Sequence, residues 1–211
     1  MVKVYEIRVS LFVTNCYLVI NEETKEGFLI DPGDYEEKIL EVLKEKEVKL
    51  TAVYLTHGHL DHMMAAERIR KEYGVPVYCH TAELAVLADP VQNLTDRFLR
   101  HSYVFDKAEP LSDGAEFLAA GIRVRLLHTP GHTPGGCCYY LPEEGILFAG
   151  DTLFHRSVGN TEFPGGSMSV LAESIRKKLY VLPEETVVYA GHGEETDIGS
   201  EKRENPYVPA V

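Results

Sequence analysis

The chain has 211 residues, 45% hydrophobic and 26% charged, an ordinary balance for a globular protein able to bury a sizeable core. A formal net charge of -12 argues against a nucleic-acid binder, which needs a basic face, and no apolar run approaches the ~20 residues of a membrane span. Cys16, Cys79, Cys137 and Cys138 show no C-x-x-C spacing and read as small buried apolar residues in a reducing compartment.

The opening residues alternate like a strand and lack the apolar core of a signal peptide, so a cytoplasmic location is expected. Strands are predicted over 2–8, 15–20 and 27–30, each rich in β-branched or aromatic residues. Asp34 then predicts a helix start, with Glu37 as capping-box partner and Tyr35, Ile39, Leu40 and Leu43 on one face. A short buried strand over 50–55 delivers His57. Helical spacing returns over 60–73, closed by Gly74 and Pro76. A strand at 77–79 and a helical stretch at 82–88 complete the first half.

Residues 89–114 have no clean period and read as a lid or a long connection. The second pass predicts strands over 115–118, 122–127, 137–141 and 146–149. A helix follows over about 169–182, with Leu171, Ile175, Leu179 and Leu182 on one side. The strand 186–190 delivers His192. Two similar halves, about 1–110 and 111–211, within a single domain suggest two sheets back to back with helices outside.

The chemistry concentrates in Thr56-His57-Gly58-His59-Leu60-Asp61-His62, which packs three imidazoles and a carboxylate into six positions. Such a density of ligand groups is costly to bury without a metal. In an extended segment His57 and His59 project to the same side, and Gly58 keeps the turn free of a colliding side chain. Asp61 and His62 fall where the next helix begins and face a neighbouring point. His132, Asp151 and His192 each follow a glycine near an apolar strand. His132 would complete one metal site and His192 a second, with the two oxygens of Asp151 bridging them. Imidazole and carboxylate without thiolate favour zinc, iron or manganese. His80, His101 and His128 lack such a setting and read as structural or solvated.

These segments resemble the metallo-β-lactamase fold superfamily. Its H-x-H-x-D-H motif appears as His57 to His62, and Thr129-Pro130-Gly131-His132, Ala149-Gly150-Asp151 and Ala190-Gly191-His192 match its later ligand positions. Thr14-Asn15-Cys16-Tyr17 and Ile30-Asp31-Pro32-Gly33 are similar to its opening strands. The resemblance implies an α/β, four-layer αββα sandwich with the site at one edge. Asp151-Thr152-Leu153-Phe154, Ser157-Val158-Gly159 and Phe163-Pro164-Gly165-Gly166 further resemble the short, single-domain branch of the glyoxalase II-like hydrolases, or hydroxyacylglutathione hydrolases. True β-lactamases place a cysteine where Asp151 stands, which argues against antibiotic hydrolysis.

The implied activity is dinuclear, metal-dependent hydrolysis of a small-molecule thioester such as S-lactoylglutathione through a metal-bound hydroxide. Asp61 would orient the nucleophile or carry its proton. Two divalent ions are expected, zinc first, with iron or manganese open. No nucleic-acid or membrane partner is expected, and oligomeric state is left open. Full-length glyoxalase II adds a glutathione-gripping helical domain, whereas this chain ends nineteen residues after His192. The family's Gly-Arg-Ser/Thr-Asp pattern reads Gly159-Asn160-Thr161-Glu162 here, so Asn160 replaces a cation that can pair with a substrate carboxylate. His155, Arg156 and Asn160 are the candidate substrate-binding residues, Arg156 as a stand-in for that cation. The alternatives are a mononuclear iron persulfide dioxygenase using His57, His132 and Asp151, a lactonase, and a metal-binding scaffold without turnover.

Overall fold

The structure is a computed structural model and describes residues 1–210. The antiparallel meander β1 (Val2–Val9), β2 (Thr14–Asn21) and β3 (Glu26–Ile30) opens the first sheet. Helix α1 (Glu36–Glu45) returns the chain to β4 (Lys49–Tyr54), parallel to β3. Two short helices, α2 (Leu60–Met63) and α3 (Ala66–Tyr73), precede the parallel strand β5 (Val77–His80). Helices α4 (Leu84–Leu87) and α5 (Thr95–Phe98) then lead to a parallel edge strand, β6 (Ala108–Leu111).

The second sheet begins with a meander of β7 (Glu116–Ala119), β8 (Ile122–His128), β9 (Cys137–Leu141) and β10 (Ile146–Gly150). A small hairpin, β11 (Leu153–Phe154) with β12 (Ser157–Val158), and helix α6 (Met168–Ser174) follow. Strand β13 (Val187–Ala190) runs parallel to β10, and β14 (Thr196–Asp197) and helix α7 (Ile198–Glu204) close the described chain. The strand orders are β1-β2-β3-β4-β5-β6 and β14-β13-β10-β9-β8-β7.

Period-two alternation sorts the side chains into layers. From β2, Tyr17 and Val19 point between the sheets with Phe28, Leu126, Tyr139 and Phe148, whereas Cys16, Leu18 and Ile20 pack among Ile39, Leu40, Leu43 and Ile69 of α1 and α3. From β10, Phe148 joins the inter-sheet core while Leu147 and Ala149 pack with Leu171, Ile175 and Leu179. Helices, sheet, sheet and helices make the expected αββα sandwich. A bulge at Thr51, skipped in the pairing of Gly27 with Leu50 and Phe28 with Ala52, lets Leu50 and Val53 both face the helix side. All four cysteines are free and buried. No helix of the described residues is long and apolar enough to cross a membrane.

Several elements differ from the sequence reading, each through a contact made at a distance. The Asp34–Glu37 capping box does not form: Tyr35 sits at φ 53°, the helix starts at Glu36, and Asp34 Oδ1 accepts from the Tyr35 amide instead. That left-handed turn leaves Tyr35 exposed, off the buried face of α1. The 60–73 helix is split because the Ala65 amide donates to Pro32 and Gly33 carbonyls rather than up the helix. Gly33 makes that wedge possible, since a Cβ there would lie 1.6 Å from the Asp61 carbonyl oxygen. Residues 89–114 are more than a connection: they hold α5 and the edge strand β6. The 169–182 helix widens into a π turn over Ile175–Leu179, where the Tyr180 amide reaches the Ile175 carbonyl.

The sheets are joined at one end by Asn21 Nδ2, which donates to the Ala120 carbonyl at 3.0 Å, and along the other edge by several hydrogen bonds. The Asn15 amide donates to the Gly191 carbonyl at 2.8 Å, the Cys137 amide to Thr56 at 2.9 Å, and Tyr17 Oη to Ala190 at 2.6 Å.

Candidate metal centre

That joined edge carries every candidate ligand. His57 follows β4, His59 caps α2, and Asp61 and His62 occupy its first turn. His132 lies between β8 and β9, Asp151 directly follows β10, and His192 follows β13. Gly58 is required less by the ligands than by Leu87, whose atoms would lie 3.1 to 3.2 Å from a Cβ there.

The side chains converge as two clusters. His57, His59 and His132 form one, and Asp61, His62 and His192 the other, while Asp31 makes a further close group with one histidine of each, His57 and His62. His132 Nε2 lies 2.9 Å from His59 Nδ1, and His62 Nε2 lies 3.4 Å from His192 Nε2. Asp151 spans them: Oδ1 is 3.4 Å from His62 Nε2, while Oδ2 is 3.5 Å from His132 Nε2 and 3.6 Å from His192 Nε2. The fold thus brings the seven sequence-predicted ligands together at one edge, with Asp31 beside them.

Two carboxylates that support the site were not singled out from sequence. Asp31, at the end of β3, accepts from the Thr56 amide and hydroxyl at 2.7 and 2.6 Å, and its Oδ2 lies 2.9 Å from His62 Nδ1. Such a partner fixes the imidazole's tautomer and aim. Its signal was its place: it ends a strand as Asp151 ends β10. Glu83, fully buried, accepts from the Gly58 amide at 2.7 Å, the Gly135 amide at 2.8 Å and Thr133 Oγ1 at 3.0 Å. It thereby ties the His57–His59 loop to the loop that carries His132. Nothing local in the sequence marks it.

Burial pushes the His57 and His59 imidazoles well below the usual range, helped by mutual repulsion with neighbouring histidines, and burial also lowers His132. These rings are neutral and offer lone pairs. His132 Nδ1 donates to the Asn160 carbonyl at 2.6 Å, which leaves Nε2 facing the cluster as an acceptor. The second cluster is charged. Burial opposes protonation of His62, but Asp61, Asp151 and Asp31 outweigh it and hold the ring up at about 10. Burial likewise opposes ionisation of Asp61, and His62, His192 and Thr14 overcome it and hold the carboxyl well below the usual range.

The orphaned atoms supply the test of metal fit. His57 Nε2, His59 Nε2 and Asp151 Oδ1 are buried without a hydrogen-bond partner. In the first cluster, neutral imidazoles with orphaned nitrogens are what a divalent cation completes; in the second, the carboxylates that hold a proton on His62 would hold a cation in its place, the proton leaving as the ion binds. The residues fit the group.

The candidate substrate residues fare differently. His155 Nδ1 pairs with Glu194 at 2.7 Å, and Arg156 pairs with Glu204, so both are engaged by the chain's own carboxylates. Asn160 lines the cavity of about 240 Å³ over the metal centre. It acts inward through its carbonyl on His132, while its side chain accepts from the Glu162 amide. Beyond the metal-facing groups the cavity walls are apolar, with Phe12, Phe98, Phe154 and Phe163 beside Leu60 and Leu94. His80 and His128 stack on each other at 3.8 Å, and His101 is exposed, all apart from the two clusters.

Comparison with known proteins places this geometry. Residues 9–192 match the family model described as metallo-beta-lactamase superfamily. The chain is 36% identical over 204 residues to hydroxyacylglutathione hydrolase GloC of Haemophilus influenzae, covering 96% of each. Among solved structures it is similar to the BLEG-1 B3 metallo-beta-lactamase, with 37% identity, a TM-score of 0.91 and 99% of each chain covered. It is also similar to TTHA1623 in a di-iron-bound form, with 35% identity, a TM-score of 0.85, and 96% and 99% of the two chains covered.

Proposed function

Because the chain belongs to the metallo-beta-lactamase superfamily and is a metal-dependent hydrolase with a His/Asp site, we propose that it is a dinuclear thioesterase of the glyoxalase II type. The observation that carries this is Asp151, whose carboxylate sits between the clusters, Oδ2 within 3.6 Å of a histidine of each and Oδ1 beside His62 of the second. His57, His59 and His132 would hold one ion, and Asp61, His62 and His192 the other, with Asp151 shared. Zinc comes first, with iron or manganese open, and the di-iron form of TTHA1623 keeps iron in view. Such a pair supplies an activated water near neutral pH and a Lewis acid for the carbonyl oxygen.

The chain's own residues do the rest. Asp61 Oδ2 accepts from Thr14 Oγ1 at 2.7 Å and lies 3.3 Å from His192 Nε2, so the carboxylate is fixed at the cavity floor with its charge intact. It is placed to orient a nucleophilic water and take its proton at an oxygen. Phe12, Phe98, Phe154 and Phe163 exclude bulk water above it. A thiolate leaves without a strong general acid, and none stands at the site. Four free, buried cysteines support a reducing, cytoplasmic setting.

The test is a native mass spectrum of the metal-replete protein with metal analysis, followed by a thioester panel. Two ions per chain with thioester turnover supports the reading; one iron per chain with oxygen uptake on a persulfide replaces it. Asp151 argues against a β-lactam substrate and the 37% identity to the BLEG-1 B3 metallo-beta-lactamase argues for one, so a chromogenic cephalosporin belongs in the same panel.

A further inference from the structure

Arg97 is the cation at the mouth of the cavity that the chain leaves unspent. Its guanidinium carbon lies 5.3 Å from the Phe98 ring centre and 5.6 Å from that of Phe163, both of which line the cavity. Phe163 in turn lies against His59, with ring centres 5.5 Å apart. Arg97 is thus one aromatic ring away from the metal-facing imidazoles. No carboxylate lies within ion-pair distance of it among the described residues, which is also true of Arg100, Arg125 and Arg176; of these four, Arg97 is the one set against rings that line the cavity.

Its platform is rigid. The buried Asn93 accepts from the Leu60 amide through its carbonyl at 3.0 Å and from Thr95 Oγ1 through its side chain at 2.7 Å. That fastens α5 to the segment carrying His59 and Asp61. Arg97 is itself exposed, and its guanidinium rests near both rings with its donors free to meet an oxyanion.

We infer that Arg97 binds an anionic oxygen group, carboxylate or phosphate, on the thiol half of the thioester, and so sets substrate specificity. This rests on the thioesterase reading. It fills the place left by Asn160, whose side chain carries no charge, and by Arg156, which is taken by Glu204. Arg97 is a specificity residue and takes no part in bond breaking.

The test compares wild type, Arg97→Gln and Arg97→Lys on three lactoyl thioesters: glutathione (carboxylates), phosphopantetheine (phosphate) and N-acetylcysteamine (neutral). Arg97→Gln should raise KM for the preferred anionic substrate about fivefold, the upper end for one exposed charge pair, with kcat within about twofold. KM for the neutral substrate should stay unchanged, and Arg97→Lys should recover part of the loss. The glutathione and phosphopantetheine arms tell carboxylate from phosphate. Equal KM changes on neutral and anionic substrates, or none on either, would overturn the inference.

A second readout does not depend on turnover. Calorimetric binding of S-hexylglutathione and S-hexylphosphopantetheine, which are thioethers, to metal-loaded wild type should weaken with added salt. Binding of the preferred thioether should weaken about fivefold in Arg97→Gln. Unchanged affinity for both overturns the role of Arg97, whereas absent thioester turnover with this binding intact overturns only the thioesterase reading.

Discussion

Replacing Glu83 by Gln isolates the energetics of the buried brace between the two ligand loops. Burial pushes the Glu83 carboxyl up from 4.5 to about 7, against the three donors from Gly58, Thr133 and Gly135 that favour its charged form. Below pH 4.5 the folded and unfolded chains both hold the proton. Between 4.5 and 7 the unfolded chain releases it while the folded chain keeps it, so stability falls as pH rises. The fall totals about 3 kcal/mol and levels off above 7. Gln fills the same space without titrating. Its single oxygen satisfies one side of the brace and turns an amide N–H toward the donors on the other, which costs about 1–3 kcal/mol at the acid end. Wild type should therefore be the more stable protein at pH 4.5, and the gap should close or reverse by pH 8. Urea unfolding of both metal-free proteins across that range measures it; histidine titrations common to the two cancel in the difference. A gap that stays constant with pH would refute this account of Glu83.

Three further outcomes follow from the site. His59→Ala should lose metal from the first cluster and thioester turnover together; metal analysis and a thioester assay check it, and unchanged turnover would sink the assignment. Asp31→Asn removes the carboxylate behind His62 and should weaken metal affinity about 10–100-fold at the second cluster, read by competition with a chelator. Gly191→Ala would place a Cβ 2.3 Å from Asp151 Oδ1 and 2.8 Å from His62 Cε1. A protein of near-normal melting temperature with fewer than two metals per chain is expected, and full loading would show that Asp151 has room to move.

The metal clusters were legible because their signal is local: three imidazoles within six residues, then single ligands placed directly after glycines. The layers were legible for a similar reason, since alternation along β2 and β10 assigns each face without knowing the partner. What escaped depends on contacts across the chain. The break between α2 and α3 is written in Pro32 and Gly33, some thirty residues earlier. The edge strand β6 contains Pro110, tolerable at an edge and misleading in sequence. Glu83 looked like one more acidic residue on a short helix, and only the convergence of Gly58 and Gly135 gives it a task. His155 and Arg156 sit at the right distance in sequence, but their charges are claimed by Glu194 and Glu204.

The hydrogen bonds from Asn15 to Gly191 and from Cys137 to Thr56 have a mechanical meaning. They fasten the sheets to each other one residue before His57 and one residue before His192, so the backbone carrying a ligand of each cluster is tied across the sandwich independently of any ion.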